Sequence, residues 1–144
     1  MDRRTFTRSI ASFFVSAGGM GFFSSQLSAR EYLTVDQAQK ILFGGEVLTQ
    51  TRVKLTALQK KAIREASGIR VRRSYLAAWK ASGGGWFLLD QVIGKHEYID
   101  LAIALSSTGS IKGIEILNYR ESYGGDVRHK RWRAQFTGFT HSKK

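Results

Sequence analysis

The stretch 86–125 constrains this chain more than any other. It holds three apolar, β-rich runs of strand length, 86–94, 98–105 and 111–117, separated by turn residues. The clearest turn is Ser107-Thr108-Gly109-Ser110, because Gly109 can take a positive φ without steric cost. In the third run Ile111, Gly113, Glu115 and Leu117 alternate with Lys112, Ile114, Ile116 and Asn118, so one face is the more apolar. A sheet covered on one side is expected. The reading is an α+β fold: an antiparallel β-meander flanked by short helices. Its last strand delivers a polar loop, Asn118-Tyr-Arg-Glu-Ser-Tyr-Gly-Gly125, to one edge, and a site is expected there.

Two helices precede the meander. Thr34 with Gln37, and Thr56 with Gln59, each form a capping-box pair in which threonine and glutamine satisfy amides three residues apart. The first helix places Ala38, Ile41 and Leu42 on one face and stops at Gly44-Gly45. The second runs through Ala66, with Leu58, Ala62 and Ile63 as its apolar face, and closes at Ser67-Gly68. Between them, 47–55 reads as a strand. The basic stretch 69–80 reads as one or two short strands, and Ala81-Ser-Gly-Gly-Gly85 as a hairpin turn. After the meander, 128–136 suits two helical turns with Trp132 and Phe136 at i, i+4 facing inward.

With 144 residues, one folded domain is the natural size. The N-terminus is set apart from it. Arg3-Arg4 with Phe6 precedes a moderately apolar run ending in small residues, in the order of a twin-arginine export signal. Residues 1–29 are therefore expected to be the signal and 30–144 the domain, placed in the periplasm or on the extracytoplasmic face of the membrane. The chain has no Cys, which excludes disulfides, a thiol nucleophile and cysteine-based metal sites. Its formal net charge of +12 fits an anionic partner, a membrane surface or a merely soluble cationic surface.

Few residues announce chemistry. His96, His129 and His141 share no ligand spacing, so metal binding is not expected. His96-Glu97 falls in a turn between strands. Asp90, Asp100 and Glu115 lie on strands as ordinary surface residues. Gly83-Gly84-Gly85 lacks the Lys-Ser/Thr and following helix of a phosphate-binding loop. The basic segment 128–133 with Trp132 resembles a nucleic-acid binder, but its charges run around the helix rather than along one stripe, and export would separate it from nucleic acid. No nucleic-acid partner is expected.

At Tyr119-Arg-Glu-Ser-Tyr-Gly-Gly-Asp-Val-Arg-His-Lys-Arg-Trp-Arg-Ala-Gln-Phe136 the chain resembles the FMN-binding domain family, which includes the flavin-carrying subunits of sodium-pumping quinone reductases and Rnf complexes. Gly84-Gly85-Trp86-Phe87, Val92-Ile93-Gly94-Lys95-His96 and Gly109-Ser110-Ile111-Lys112-Gly113 are similar to the exported single-domain members, and the likeness spans 32–139. The resemblance implies a redox carrier rather than a stand-alone enzyme, moving electrons through FMN to a partner protein at the membrane, with a flavin transferase attaching the cofactor. It implies Tyr119, Glu121, Ser122, Tyr123, Gly124 and Gly125 as cofactor contacts: tyrosines beside the ring, Ser122 and loop amides as donors, Glu121 as acceptor, and glycines that let the backbone approach closely. Family members carry FMN on the threonine of a Ser/Thr-Gly-Ala-Thr motif, which is absent from this chain. Thr137-Gly138-Phe139-Thr140 matches the helix exit instead, so the chain resembles a C-terminally truncated member. A cofactor-free exported interaction domain is the alternative expectation, and a basic nucleic-acid-binding protein the second alternative.

Overall fold

The structure, a computed structural model, describes residues 30–141. The expected export signal, 1–29, lies outside the described residues. Ten elements follow in order. They are β1 (Arg30–Glu31), α1 (Val35–Phe43), β2 (Leu48–Lys54), α2 (Ala57–Ser67), β3 (Tyr75–Ala81), β4 (Gly85–Ile93), β5 (Tyr98–Leu105), β6 (Ile111–Tyr119), a 3₁₀ turn (Gly125–Arg128) and α3 (Lys130–Ala134). The strands form one antiparallel sheet in the order β1-β6-β5-β4-β3-β2. The α+β meander expected from the sequence is what the chain adopts.

Both capping boxes form. Thr34 and Thr56 each accept from the glutamine amide at 3.2 Å, while the glutamine side chain accepts from the threonine N–H at 2.9 Å. The 69–80 stretch yields a single strand, β3, which starts at Tyr75 and makes a hairpin with β4 through residues 82–84.

The strand period sorts β5 by size. Ala102 and Ala104 face α1, whereas Ile99, Leu101 and Ile103 face the other way. Small side chains under α1 let the helix lie close to the sheet. Ala38 and Phe43 of α1 are buried there against Ala81, Phe87 and Leu117. Leu42 sits directly over Gly113, where any Cβ would meet its Cδ2 at 2.8 Å. Phe87 is fully buried, with the Trp79 ring edge-on at 5.4 Å and Phe43 at 6.4 Å. Burying such a ring contributes about 2–3 kcal/mol.

Four expectations need correcting. The sheet is apolar on both faces: Ile99, Leu101, Ile116 and Tyr119 form a second cluster, joined by Val127 of the 3₁₀ turn. Ile41 points outward, 56 % exposed, because the buried arc of α1 runs through Ala38, Leu42 and Phe43 and leaves Ile41 beyond its rim. No residue of α2 is buried, with Leu58 79 % and Ile63 39 % exposed, so the expected apolar face of Leu58, Ala62 and Ile63 is left mostly to solvent. The helix after the meander has five residues, and Trp132 does not enter a core. It stacks edge-on with Phe136 at 5.1 Å, and Phe136 in turn with Phe139 at 6.2 Å.

The outer edge of β6 is closed by three different pieces of chain. At its end, β1 pairs with Tyr119 and Asn118, and the Tyr32 amide donates to the Leu117 carbonyl at 2.8 Å. At its start, Gly138 and Phe139 exchange backbone hydrogen bonds with Ile111 at 2.8 and 2.9 Å. Between them, Arg133 of α3 donates from Nε to the Ile114 carbonyl at 2.8 Å. An edge left open would template pairing with other chains.

Candidate functional site

The loop 120–125 leaves β6 at the end of the sheet where the β4–β5 hairpin turns, and Glu121 ties the two together. Its Oε1 accepts from the His96 amide at 2.5 Å and the Glu97 amide at 2.9 Å. The carboxylate lies against Gly94, where a Cβ would collide with it. Hydrogen bonds from the Glu97 and His96 amides hold the Glu121 carboxyl below its ordinary range. The turn containing His96-Glu97 is thus fastened to the loop.

Tyr119 lies beneath the loop, buried, and its hydroxyl donates to the Tyr123 carbonyl. Burial and the Glu121 charge raise its pKa, against the opposing effect of Arg128. Gly124 takes the left-handed conformation, φ 74° and ψ 36°, which opens the 3₁₀ turn directly above the Tyr119 hydroxyl. Tyr123 is 70 % exposed and turns its ring outward, with the Lys95 ammonium 5.6 Å from the ring centre. Ser122 is exposed beside it.

Arg128 closes the other side. Its Nε donates to the Gly125 carbonyl at 3.1 Å and its Nη1 to the Tyr32 hydroxyl at 2.9 Å. The guanidinium stands 5.6 Å from the Tyr119 ring centre and 5.8 Å from that of Tyr32. It also occupies the space a Cβ at Gly125 would take. Further back, Arg120 pairs with Asp100 at 2.8 Å. Burial raises the Asp100 pKa, but hydrogen bonds from Arg120 and Gln91 outweigh it and hold the carboxyl below its ordinary value.

All six residues singled out from the sequence therefore sit in one loop system: Tyr119 under it, Glu121 joining it to the neighbouring hairpin, and Ser122, Tyr123, Gly124 and Gly125 along its rim. Sequence reasoning named no role for Lys95 or Arg128. Lys95 belongs to a different hairpin, and nothing local marks it. Arg128 looked like one charge of a basic run, yet it folds back onto two tyrosines, and Arg133 of the same run is largely covered where it pairs with Glu115. The basic segment is accordingly no continuous cationic stripe.

An isoalloxazine with a phosphate tail needs a flat ring to lie on, close backbone and cations for the phosphate. Here the Tyr123 ring is exposed with Lys95 beside it, and the loop edge at Gly124-Gly125 lacks Cβ atoms, but the Arg128 side chain fills the space over Gly125. Among the described residues no group of three His, Asp or Glu side chains is placed to hold a metal. An open groove of about 880 Å³ lies elsewhere, over the paired strands β2 and β3, lined by Arg52, Arg73 and Tyr75 among others. In comparisons with known proteins, no family model, no curated protein and no solved structure matches this chain.

Proposed function

We propose that this protein is an FMN-binding electron carrier acting outside the cytoplasm, with the loop 119–125 as its flavin platform. The reading rests on the motif order described above. The observation that carries it is Tyr123: a large ring presented to solvent at a glycine-edged loop, with a lysine ammonium over it, and held in place from beneath by Tyr119 and from the side by Glu121. An exposed aromatic that the fold goes to such lengths to position suits a planar ligand. When bound, FMN supplies the electron-transfer chemistry. The chain's own residues divide the remaining work. Tyr123 takes the ring, Lys95 and Arg128 take the phosphate, and Ser122 and the loop amides donate hydrogen bonds. Glu121 acts as the strut that keeps the two loops in register. The redox partner would meet the exposed face of the ring.

The test is titration of FMN into the full chain, following fluorescence of Trp86 and Trp132, with a parallel coexpression with a flavin transferase and detection of protein-bound flavin. Saturable quenching that Tyr123→Ala abolishes supports the reading. No quenching at high FMN and no flavin after coexpression overturn it. They would favour a cofactor-free interaction domain instead, a second reading to which Arg128 lends weight by filling the cradle at Gly125 with the protein's own guanidinium.

A further inference from the structure

We propose that α2, with the basic connection that follows it, docks the protein on the surface of a membrane rich in anionic phospholipid. The inference goes beyond the flavin reading and uses none of its residues.

The two capped helices provide an internal comparison. They open with the same Thr-x-x-Gln chemistry, but α1 buries Ala38 and Phe43 against the sheet whereas α2 has no buried residue. An isolated helix of 11 residues is marginal in water, so its uncovered apolar face calls for a partner. The orientation of that face is set by the fold. Lys60 donates to the Ser74 hydroxyl at 2.7 Å, and Leu55 N–H to the Ser74 carbonyl at 2.8 Å. These bonds hold the Lys60 side of α2 toward the edge of β3. At 100° per residue, Leu58, Ala62, Ala66 and Ile63 fall within an arc roughly 140° wide, broken only by Gln59, and Leu58 is 79 % exposed. Ile69, just past the helix, is 69 % exposed.

Charge completes the pattern. Between residues 52 and 73 stand eight Lys or Arg and one acidic residue, Glu65. Arg64 lies on the polar side opposite the apolar arc, Lys61 pairs at 3.8 Å with Glu65 at the arc's border, and Arg70, Arg72 and Arg73 follow the helix. Most of these side chains are exposed. An apolar arc with lysine and arginine on the polar side is the composition of a helix that lies in the headgroup region. The shape discriminates among partners. The apolar arc stands on a convex helix, no residue of which lines the groove at Arg52 and Arg73, and a fluid bilayer accommodates such a surface better than a folded acidic protein does. Anionic lipid attracts such a cluster in proportion to the cations brought near it.

The experiment is co-sedimentation of the full chain with vesicles of pure phosphatidylcholine and of phosphatidylcholine mixed with phosphatidylglycerol, at low and high salt. Because residues 1–29 carry cations and apolar groups of their own, full-length variants are compared with full-length wild type. Leu58→Glu with Ile69→Glu is expected to weaken partitioning onto the anionic vesicles by about tenfold, and Lys61→Glu with Arg64→Glu by a similar factor. Lys80→Glu, an equal charge change per residue on β3, should leave it nearly unchanged. Circular dichroism checks that each variant is folded, which the exposure of these positions favours. Vesicle binding insensitive to the Leu58/Ile69 pair overturns the proposal. So does capture of the wild type by polyglutamate with no preference for anionic vesicles, since that marks a patch for acidic polypeptide. Flavin quenching is read separately on the same variants and should be unaltered.

Discussion

Arg133 meets Glu115 at 2.8 Å with side chains only 11 % and 13 % exposed, and the same guanidinium donates to the Ile114 carbonyl on the outer edge of β6. One side chain thus neutralises a nearly buried carboxylate and closes a strand edge. Removing either partner leaves the other charge stranded where water hardly reaches, at a cost of about 3 kcal/mol. Arg133→Met and Glu115→Gln are each expected to lower the melting temperature by roughly 10 °C. The double variant Arg133→Met/Glu115→Gln should lose clearly less than the sum of the two. Thermal and urea unfolding of the four proteins measure the coupling.

Glu121 should make the β4–β5 turn sensitive to acid. Its carboxyl is held below the ordinary range by the Glu97 and His96 amides, so its contribution to stability is complete above that range. The contribution is lost as pH falls through the depressed value. Amide exchange protection at His96 and Glu97, corrected for intrinsic rates, is therefore expected to fall on acidification below the normal glutamate range. In Glu121→Gln the same protection should be low at neutral pH and change little with acid.

The two glycines around α1 and β4 behave oppositely on substitution. At Gly85 a Cβ would strike the Leu105 carbonyl oxygen and press on Phe43 at 3.4 Å, with neither backbone nor core ring free to yield. Gly85→Ala should cost about 2 kcal/mol or more. At Gly45 a Cβ meets nothing within 4 Å. Gly45→Ala is expected to be neutral or to stabilise by about 0.5 kcal/mol by restricting the unfolded chain. Denaturant midpoints of the pair make the comparison.

Arg128 distinguishes phosphate recognition from ring recognition. If its guanidinium leaves Gly125 to meet the phosphate of FMN, Arg128→Ala should weaken FMN binding by about tenfold, in line with loss of a charged hydrogen bond. Riboflavin, which has no phosphate, should bind wild type and variant alike. Fluorescence titration with both flavins checks this. Equal losses for the two would mean that Arg128 shapes the loop through Tyr119 and Tyr32 instead.

What the sequence makes readable here is local. Thr34-x-x-Gln37 and Thr56-x-x-Gln59 carry their own hydrogen-bond partners, so both helix starts follow from a four-residue window. The three strands of the meander follow from runs bounded by Gly and Ser. The loop at 119–125 is readable as a place, because a polar glycine pair follows an apolar strand. Its wiring is not. Glu121 binds amides 24 and 25 residues away, and Arg133 its carboxylate at a separation of 18, and no spacing rule connects such positions. The outward face of α2 escapes for a related reason. Amphipathicity tells which side is greasy, and Ile63 and Leu58 show that side plainly, but only tertiary contacts tell whether anything covers it. Ile41 illustrates the finer error: one step around the helix from the buried arc is enough to put an isoleucine in water.

The fastening of β6 by Gly138 and Phe139 has a consequence for how the molecule comes into being. Once Tyr119 has emerged from the ribosome every long strand has a partner and β1 can cover the far end of β6, yet the rim at Ile111 stays bare until some twenty further residues have been threaded out. In that interval a nascent chain carries a sticky margin that any passing strand could occupy. Crowded expression should therefore punish changes near Gly138 as clumping of newborn protein, well before any weakness is seen in molecules already finished.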